Sequence, residues 1–222
     1  MFTGIARRYD RANDVLSLGV HRRWRRIAVR ASAAKRGESV LDLATGTGDL
    51  AFAFRRRVGP DALVVGLDFS AGMLREAAAK RTKRRAHLDL VRGDALALPV
   101  PSARFDVASI AFGIRNVDDP RRCVAEMARA VRSGGRVVVL EFGTPKGVIG
   151  PAYRWYSRTV MPRIGGMVTG DRSAFEYLPR TAAAFPYGEA FERLMREAAS
   201  FSDVKVKPLT GGVAWLYVGT VA

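Results

Sequence analysis

Cysteine is almost absent from this sequence. Cys123 stands alone among 222 residues. That excludes an internal disulfide and a zinc site built on thiolates. Histidine is nearly as scarce. His21 and His87 are too few for an imidazole cluster, so no metal is expected. No run of about 18 uncharged apolar residues occurs, so no helix is expected to span a bilayer. The opening MFTGIARRYD has neither an apolar segment nor a small-residue cleavage site. A secretory leader is therefore not expected, and a reducing cytoplasm is the simplest location. Acids are in deficit, 21 against 37 Lys and Arg, which leaves a formal charge of +16. Such a surface attracts phosphates of nucleic acid, anionic lipid or a charged cofactor. Arg far outnumbers Lys and Ala is abundant, so part of the excess also fits a GC-rich genome.

What is present suits one ordinary domain. Hydrophobic residues make up 48% and charged residues 26%, enough for a core without the signature of disorder. The chain reads as a single domain in four stretches: a basic helical arm (1–36), an α/β core (37–143), an insertion (144–186), and a C-terminal helix with two strands (187–222). The arm carries ten Lys or Arg and two acids. A helix is expected over 13–34, with Asn13 or Asp14 as its cap and Gly19 as a break. Its Arg22, Arg23, Arg25 and Arg26 read as a solvated face or a headgroup contact, with Trp24 as an interfacial anchor.

The core alternates strands at 40–43, 63–67, 88–92, 105–111 and 136–142 with helices at 49–57, 70–81 and 120–132. Repeated β–α units with apolar strands mean a parallel sheet with helices on both faces. The insertion holds Pro145, Pro151, Pro162, Pro179 and Pro186 between aromatics. A helix at 189–199 and strands at 204–207 and 213–221 complete seven strands.

Chemistry collects at the ends of the first three strands. Asp42-Leu-Ala-Thr-Gly46-Thr47-Gly48-Asp49 closes a strand and opens a helix. Glycines there let the backbone turn tightly and approach a ligand. Gly46 to Ala51 also fits the dinucleotide fingerprint, and Asp68, twenty residues after Gly48, is placed to accept from ribose hydroxyls. NAD and S-adenosylmethionine share that ribose, and Asp42 distinguishes them in part, with Asp49 biased the same way or simply a helix-capping acid. Negative charge beside the turn suits the cationic amino and sulfonium groups of S-adenosylmethionine and repels a pyrophosphate. Gly93-Asp94-Ala95 adds a carboxylate for an adenine N–H.

These motifs, with Arg132-Ser-Gly-Gly-Arg136, resemble class I S-adenosylmethionine-dependent methyltransferases. More specific blocks run along the chain: Ala6-Arg-Arg-Tyr9-Asp10, Asn13-Asp14-Val-Leu-Ser-Leu-Gly19 with His21-Arg22-x-Trp24, Ala111-Phe-Gly-Ile-Arg115-Asn116-Val, Leu140-Glu141-Phe142, Tyr177-Leu178-Pro179, and Leu209-Thr-Gly-Gly-Val213. Together they are similar to the menaquinone/ubiquinone biosynthesis C-methyltransferase family. The resemblance implies a Rossmann-like fold, S-adenosylmethionine as methyl donor, no metal, and C-methylation of a prenylated quinol. Its cofactor positions fall on Thr47, Asp68, Asp94 and Ala95. A family serine is Ala111 here, so Ser109 or a water is expected to replace its hydroxyl. Where the family shows Ala-Leu-His near the C-terminus, this chain has Trp215-Leu216-Tyr217, a difference expected to bear on substrate choice.

C-methylation needs a base for a quinol hydroxyl and a group that stabilises the resulting anion. The candidates are Tyr9 as relay or wall, Asp49 as polariser of a water, Arg115 as cation for the quinolate, and Asn116 as an orienting amide. Arg115 and Asn116 also read as a turn paired with Asp118 or Asp119. Tyr153, Trp155, Tyr156, Met161, Ile164 and Met167 offer a tail groove, a lid or plain packing. The arm points to an anionic membrane surface. A homo-oligomer stays open. RNA methylation draws support from the charge, but no RNA module or stacking platform accompanies it. Methylation of a soluble polyketide and a non-catalytic binding protein remain as rivals.

Overall fold

Short, largely apolar runs build the first four strands of the sheet. They are β1 (Val40–Leu43), β2 (Val64–Asp68), β3 (Asp89–Arg92) and β4 (Phe105–Ala111). The computed structural model describes residues 14, 17, 19–145, 147, 149–161, 163 and 185–222. Among them, seven strands form one sheet in the order β3-β2-β1-β4-β5-β7-β6. β5 is Val131–Phe142, β6 Phe201–Leu209 and β7 Ala214–Val221. β7 runs antiparallel to both β5 and β6; the remaining pairs are parallel. The α/β class, the Rossmann-like arrangement and the strand count match the expectation.

Side chains alternate between two cores, as the two-residue period of a strand requires. Leu41, Ala108, Val137 and Val139 face one core, where α4 (Pro120–Ala130) and α6 (Glu189–Ala198) supply Cys123, Met127, Phe191 and Met195. Val40, Val107, Val138 and Leu140 face the other, with Trp24 and Ala28 of α1 (Val20–Ala31) and Phe52 and Phe54 of α2 (Asp49–Val58). Helix starts follow local chemistry. The Ser70 hydroxyl accepts from Met73 N–H to cap α3 (Ala71–Arg84), and Asp119 accepts from Arg122 N–H beside Pro120 at the first turn of α4.

Several boundaries differ from those expected. α1 starts after Gly19, whose φ of 73° makes the expected break, but it ends at Ala31 rather than 34. β5 begins at Val131 rather than 136, because Phe105 pairs with Val131 across an irregular register. β6 runs from Phe201. In the insertion, α5 (Ile149–Trp155) continues into a π-turn at Tyr156–Val160; Ile164, Met167 and Tyr177 lie outside the described residues. Among those described, no helix is long and apolar enough to cross a bilayer.

β1 lies between β2 and β4. The chain steps outward from β1 to β3, then returns to the other side at β4. Crevices open at such reversals, beyond the carboxyl ends of the strands.

Candidate active site

The loop after β1 is shaped by positive φ angles at Ala44 (45°), Gly46 (57°) and Gly48 (84°). Gly48 is required. A Cβ there would lie 2.9 Å from the Phe52 ring, in a backbone conformation that favours glycine. Asp42 holds the loop from beneath. Its Oδ2 accepts from Thr45 Oγ1 and its Oδ1 from Ser109 Oγ, each at 2.7 Å. Asp42 is buried with both oxygens engaged, so it organises the loop while it also lines the cavity. One expectation is corrected here. Ser109 is fully buried against Asp42 and does not replace the hydroxyl missing at Ala111, which itself lines the cavity.

Burial pushes Asp42 up to about 6, against the opposing effect of the Ser109 and Thr45 hydrogen bonds. Between about pH 6 and 4 the folded protein holds this proton while the unfolded chain releases it. Asp42 therefore adds stability as pH falls through that window. Urea denaturation should find the stability of wild type relative to Asp42→Asn rising by about 2–3 kcal/mol from pH 7 to pH 4. Parallel pH curves would refute the burial argument.

Asp68 ends β2. Its Oδ2 accepts from Gly46 N–H at 2.7 Å and its Oδ1 from Ser70 N–H at 2.8 Å. Burial raises its pKa, partly offset by those two bonds. Each carboxylate oxygen keeps a second lone-pair direction for a ligand. Asp94, beyond β3, is exposed and accepts from Leu96 N–H at 2.9 Å. Ala95 lies beside it on the same wall. The Thr47 hydroxyl accepts from Lys80 Nζ at 2.8 Å, and the same ammonium donates to Asp49 Oδ1 at 2.8 Å. Arg25 and Arg84 stand 3.6 and 3.8 Å from the Asp49 carboxylate. Burial alone would raise Asp49, but Lys80, Arg25 and Arg84 outweigh it and hold the carboxyl below its usual range. A carboxylate so neutralised is a poor proton acceptor, which corrects the role expected of Asp49. Lys80 carried no recognisable motif.

A cavity of about 830 Å³ joins this acidic edge to a second wall from α1, the β4 end and α5. Ser17, His21, Arg25, Asn116 and Tyr153 line it. Arg25 Nη1 is buried without a hydrogen-bond partner, and its guanidinium lies 5.9 Å from the Phe112 ring centroid. Arg25 therefore leaves the expected headgroup patch; Arg22, Arg23 and Arg26 remain exposed. Trp24 is not an interfacial anchor. It is buried, donates to Thr210 Oγ1 at 2.9 Å and packs on Phe112 and Phe142. The exposed tryptophan is Trp155, at 64%. Burial raises the Tyr153 phenol, partly offset by nearby Arg115, so Tyr153 presents a protonated hydroxyl.

Arg115 is the largest correction among the catalytic candidates. Its side chain is buried, and Nη1 donates to Glu141 Oε1 at 2.5 Å and to Phe112 O at 2.9 Å. It does not line the cavity, and its partner is neither Asp118 nor Asp119. Asn116 does line it. Tyr9 lies outside the described residues. Trp215 and Tyr217 also lie off the cavity wall. Tyr217 accepts from Gly188 N–H at 2.7 Å and packs on Phe191, while Trp215 stacks near Tyr187. This departure from the family pattern is taken up in packing under α6.

Comparison with known proteins places this geometry. The model of the ubiE/COQ5 methyltransferase family matches residues 1–221. The chain belongs to this family. It is 48% identical over 222 residues to a ubiquinone/menaquinone biosynthesis C-methyltransferase of Bdellovibrio bacteriovorus, covering 100% of this chain and 94% of that one. It is 46% identical over 220 residues to a demethylmenaquinone methyltransferase of Thermus thermophilus, covering 99% of each. A solved S-adenosylmethionine-dependent methyltransferase of Thermotoga maritima superposes with a TM-score of 0.70 at 21% identity, over 100% of this chain and 98% of that one. That likeness concerns the fold alone.

For a ubiE/COQ5 family member the methyl donor is S-adenosylmethionine, and the residues present fit it. Asp68 offers a carboxylate at a strand end, where ribose hydroxyls would donate. Asp94 and Ala95 stand one strand further out, for a base edge. A Cβ on Gly46 would meet nothing within 4 Å, so the loop backbone is open to close approach.

Proposed function

We propose that the protein methylates a ring carbon of a prenylated quinol, with a demethylmenaquinol-type naphthoquinol as the foremost substrate and the benzoquinol of ubiquinone synthesis as a second. One observation carries this reading beyond family membership. A single cavity runs from the acidic strand ends to a wall of Phe112, Phe142, Tyr153 and Tyr156, so a nucleoside and a flat aromatic ring have adjoining places.

Bound S-adenosylmethionine supplies an electrophilic methyl on a sulfonium. The chain's task is to hold the ring carbon in line with that methyl, exclude water, and make the ring nucleophilic. Phe112 and Phe142, 4.5 Å apart at their centroids, form an apolar wall for the ring. Asn116 orients a ring hydroxyl. With Arg115 neutralised by Glu141, Arg25 takes the part of the cation: its Nη1 makes no hydrogen bond, stands 3.6 Å from Asp49 Oδ2, and favours negative charge on the ring oxygen. The exposed Arg22, Arg23 and Arg26, with Trp155, suit a peripheral anionic membrane surface, and Tyr153, Tyr156 and Met161 on the cavity wall suit a prenyl tail.

The test is to incubate the purified protein with methyl-labelled donor and, in separate reactions, reduced demethylmenaquinone, the benzoquinol precursor, a soluble polyketide phenol and bulk RNA. Label should enter the naphthoquinol fastest. Label entering RNA or the polyketide instead would overturn the assignment.

A further inference from the structure

A row of three polar side chains, the first two hydrogen-bonded and the third facing the imidazole, reaches the cavity from the N-terminal side, and the site described so far leaves it without a task. Ser17 Oγ lies 2.5 Å from His21 Nδ1. His21 Nε2 lies 3.3 Å from Asp14 Oδ1, and Asp14 is anchored by Arg22, whose Nε donates to it at 2.8 Å. Ser17 and His21 both line the cavity, and His21 is buried while Asp14 is half-buried. The Asp14 carboxylate facing Nε2 favours the tautomer with its proton there, which leaves Nδ1 to accept from the serine. A hydroxyl, an imidazole and a carboxylate in this order form an acid–base relay, in which the carboxylate holds and charges the ring.

We propose that Ser17, His21 and Asp14 form the proton relay that removes the substrate's hydroxyl proton. The proposal rests on the quinol methyltransferase reading. The quinol hydroxyl gives its proton to Ser17 Oγ as Ser17 passes its own to His21 Nδ1. The ring carbon then forms a bond to the donor methyl as the sulfur–carbon bond breaks, and the sulfur keeps that electron pair. The tetrahedral ring carbon loses its hydrogen as a proton to solvent, and the ring oxygen recovers its proton from His21 through Ser17. One proton leaves per methyl transferred, which balances the lost sulfonium charge.

The surroundings keep the resting imidazole neutral. Burial, then Arg25, lower His21 to about 4, with Asp14 and Asp49 opposing and Arg22 adding slightly to the lowering. The imidazole is thus unprotonated throughout the neutral range and is a weak acceptor until substrate binds. Its charged form is favoured only while a ring anion sits beside it. The same Arg25 charge stabilises that anion, so acceptor and anion site stand side by side on α1.

The test uses the intact protein, with ring-15N histidine for spectroscopy and a short-tailed reduced demethylmenaquinone for kinetics. His21 and His87 are the sole histidines, so two sets of ring signals are expected. Titrating an alkylated 1-naphthol should shift the His21 nitrogens in wild type and much less in Ser17→Ala. In turnover at pH 7, His21→Gln should lower kcat by about 100-fold and Ser17→Ala by about 10-fold, with donor affinity and quinol KM within about threefold. The deficit should shrink above about pH 9.5, where the substrate ionises in solution, and free imidazole should partly restore His21→Gly. A deficit flat with pH and without imidazole rescue, or His21 signals unmoved by the naphthol, would overturn the relay. If the His21 variants do not fold, Ser17→Ala, a small change at the cavity wall, is sufficient to decide between these outcomes. Wild type that leaves the quinol unmethylated would instead sink the substrate reading, while the naphthol titration would still test the relay.

Discussion

Replacing Glu141 with alanine is expected to cost about 3–5 kcal/mol of folding stability, because it strands the buried Arg115 charge. Both side chains are almost wholly enclosed, at 3% and 1% exposure. Glu141 also accepts from Phe142 N–H at 2.8 Å, so its loss frees a backbone donor as well. Arg115 Nε already lacks a partner, which leaves the guanidinium nothing in reserve. Arg115→Ala should be comparably costly, since it leaves the carboxylate alone. Arg115→Met combined with Glu141→Leu should recover most of the loss, since no charge then stays unpaired. Urea denaturation of the three variants measures all of this. If Arg115→Ala is nearly neutral for stability yet abolishes turnover, Arg115 faces the substrate after all.

Asp68→Ala should weaken S-adenosylmethionine binding by about 100-fold in calorimetry. Two hydrogen bonds from ribose hydroxyls to a carboxylate are each worth about 1.5–3 kcal/mol, and a tenfold change needs about 1.4. Part of the effect comes through the loop, because Asp68 also holds Gly46 N–H and Ser70 N–H. Asp68→Asn separates the two contributions. It keeps the shape and one carbonyl acceptor but not the charge, and should fall between wild type and alanine. Unchanged affinity in both variants would remove the nucleoside from this strand end.

Much of the fold was legible because local signals agreed with one another. The β–α rhythm, the helix start at Pro120 and the glycine loop each reflect chemistry within a few residues, and each appears where expected. What escaped was long-range partner choice. Glu141 meets Arg115 only because β5 pairs with β4 in a register that sets Ala111 opposite Leu140; nothing at either residue announces it. Lys80 reaches Asp49 from one helix to the start of another, again across a distance that no local pattern encodes.

For α1 a local signal was available. His21, Trp24, Arg25 and Ala28 recur at helical spacing and so share one face. Reading the basic run as a patch obscured that stripe. The stripe carries His21, Trp24 and Arg25 inward, while Arg22, Arg23 and Arg26 stay outside. Asp42 shows a different limit. Its place at a strand end was correct, but whether a carboxylate meets ligand or loop depends on hydroxyls at Thr45 and Ser109.

The central claim is that one cavity holds the methyl donor and the quinol ring side by side. The most direct measurement is a crystal structure of the protein with S-adenosylhomocysteine and a short-tailed naphthol. The ribose hydroxyls should rest on Asp68, the sulfur should point at a ring carbon, and the ring hydroxyl should lie within hydrogen-bond reach of Ser17. A nucleoside bound elsewhere, or a ring seated away from the sulfur, would contradict it.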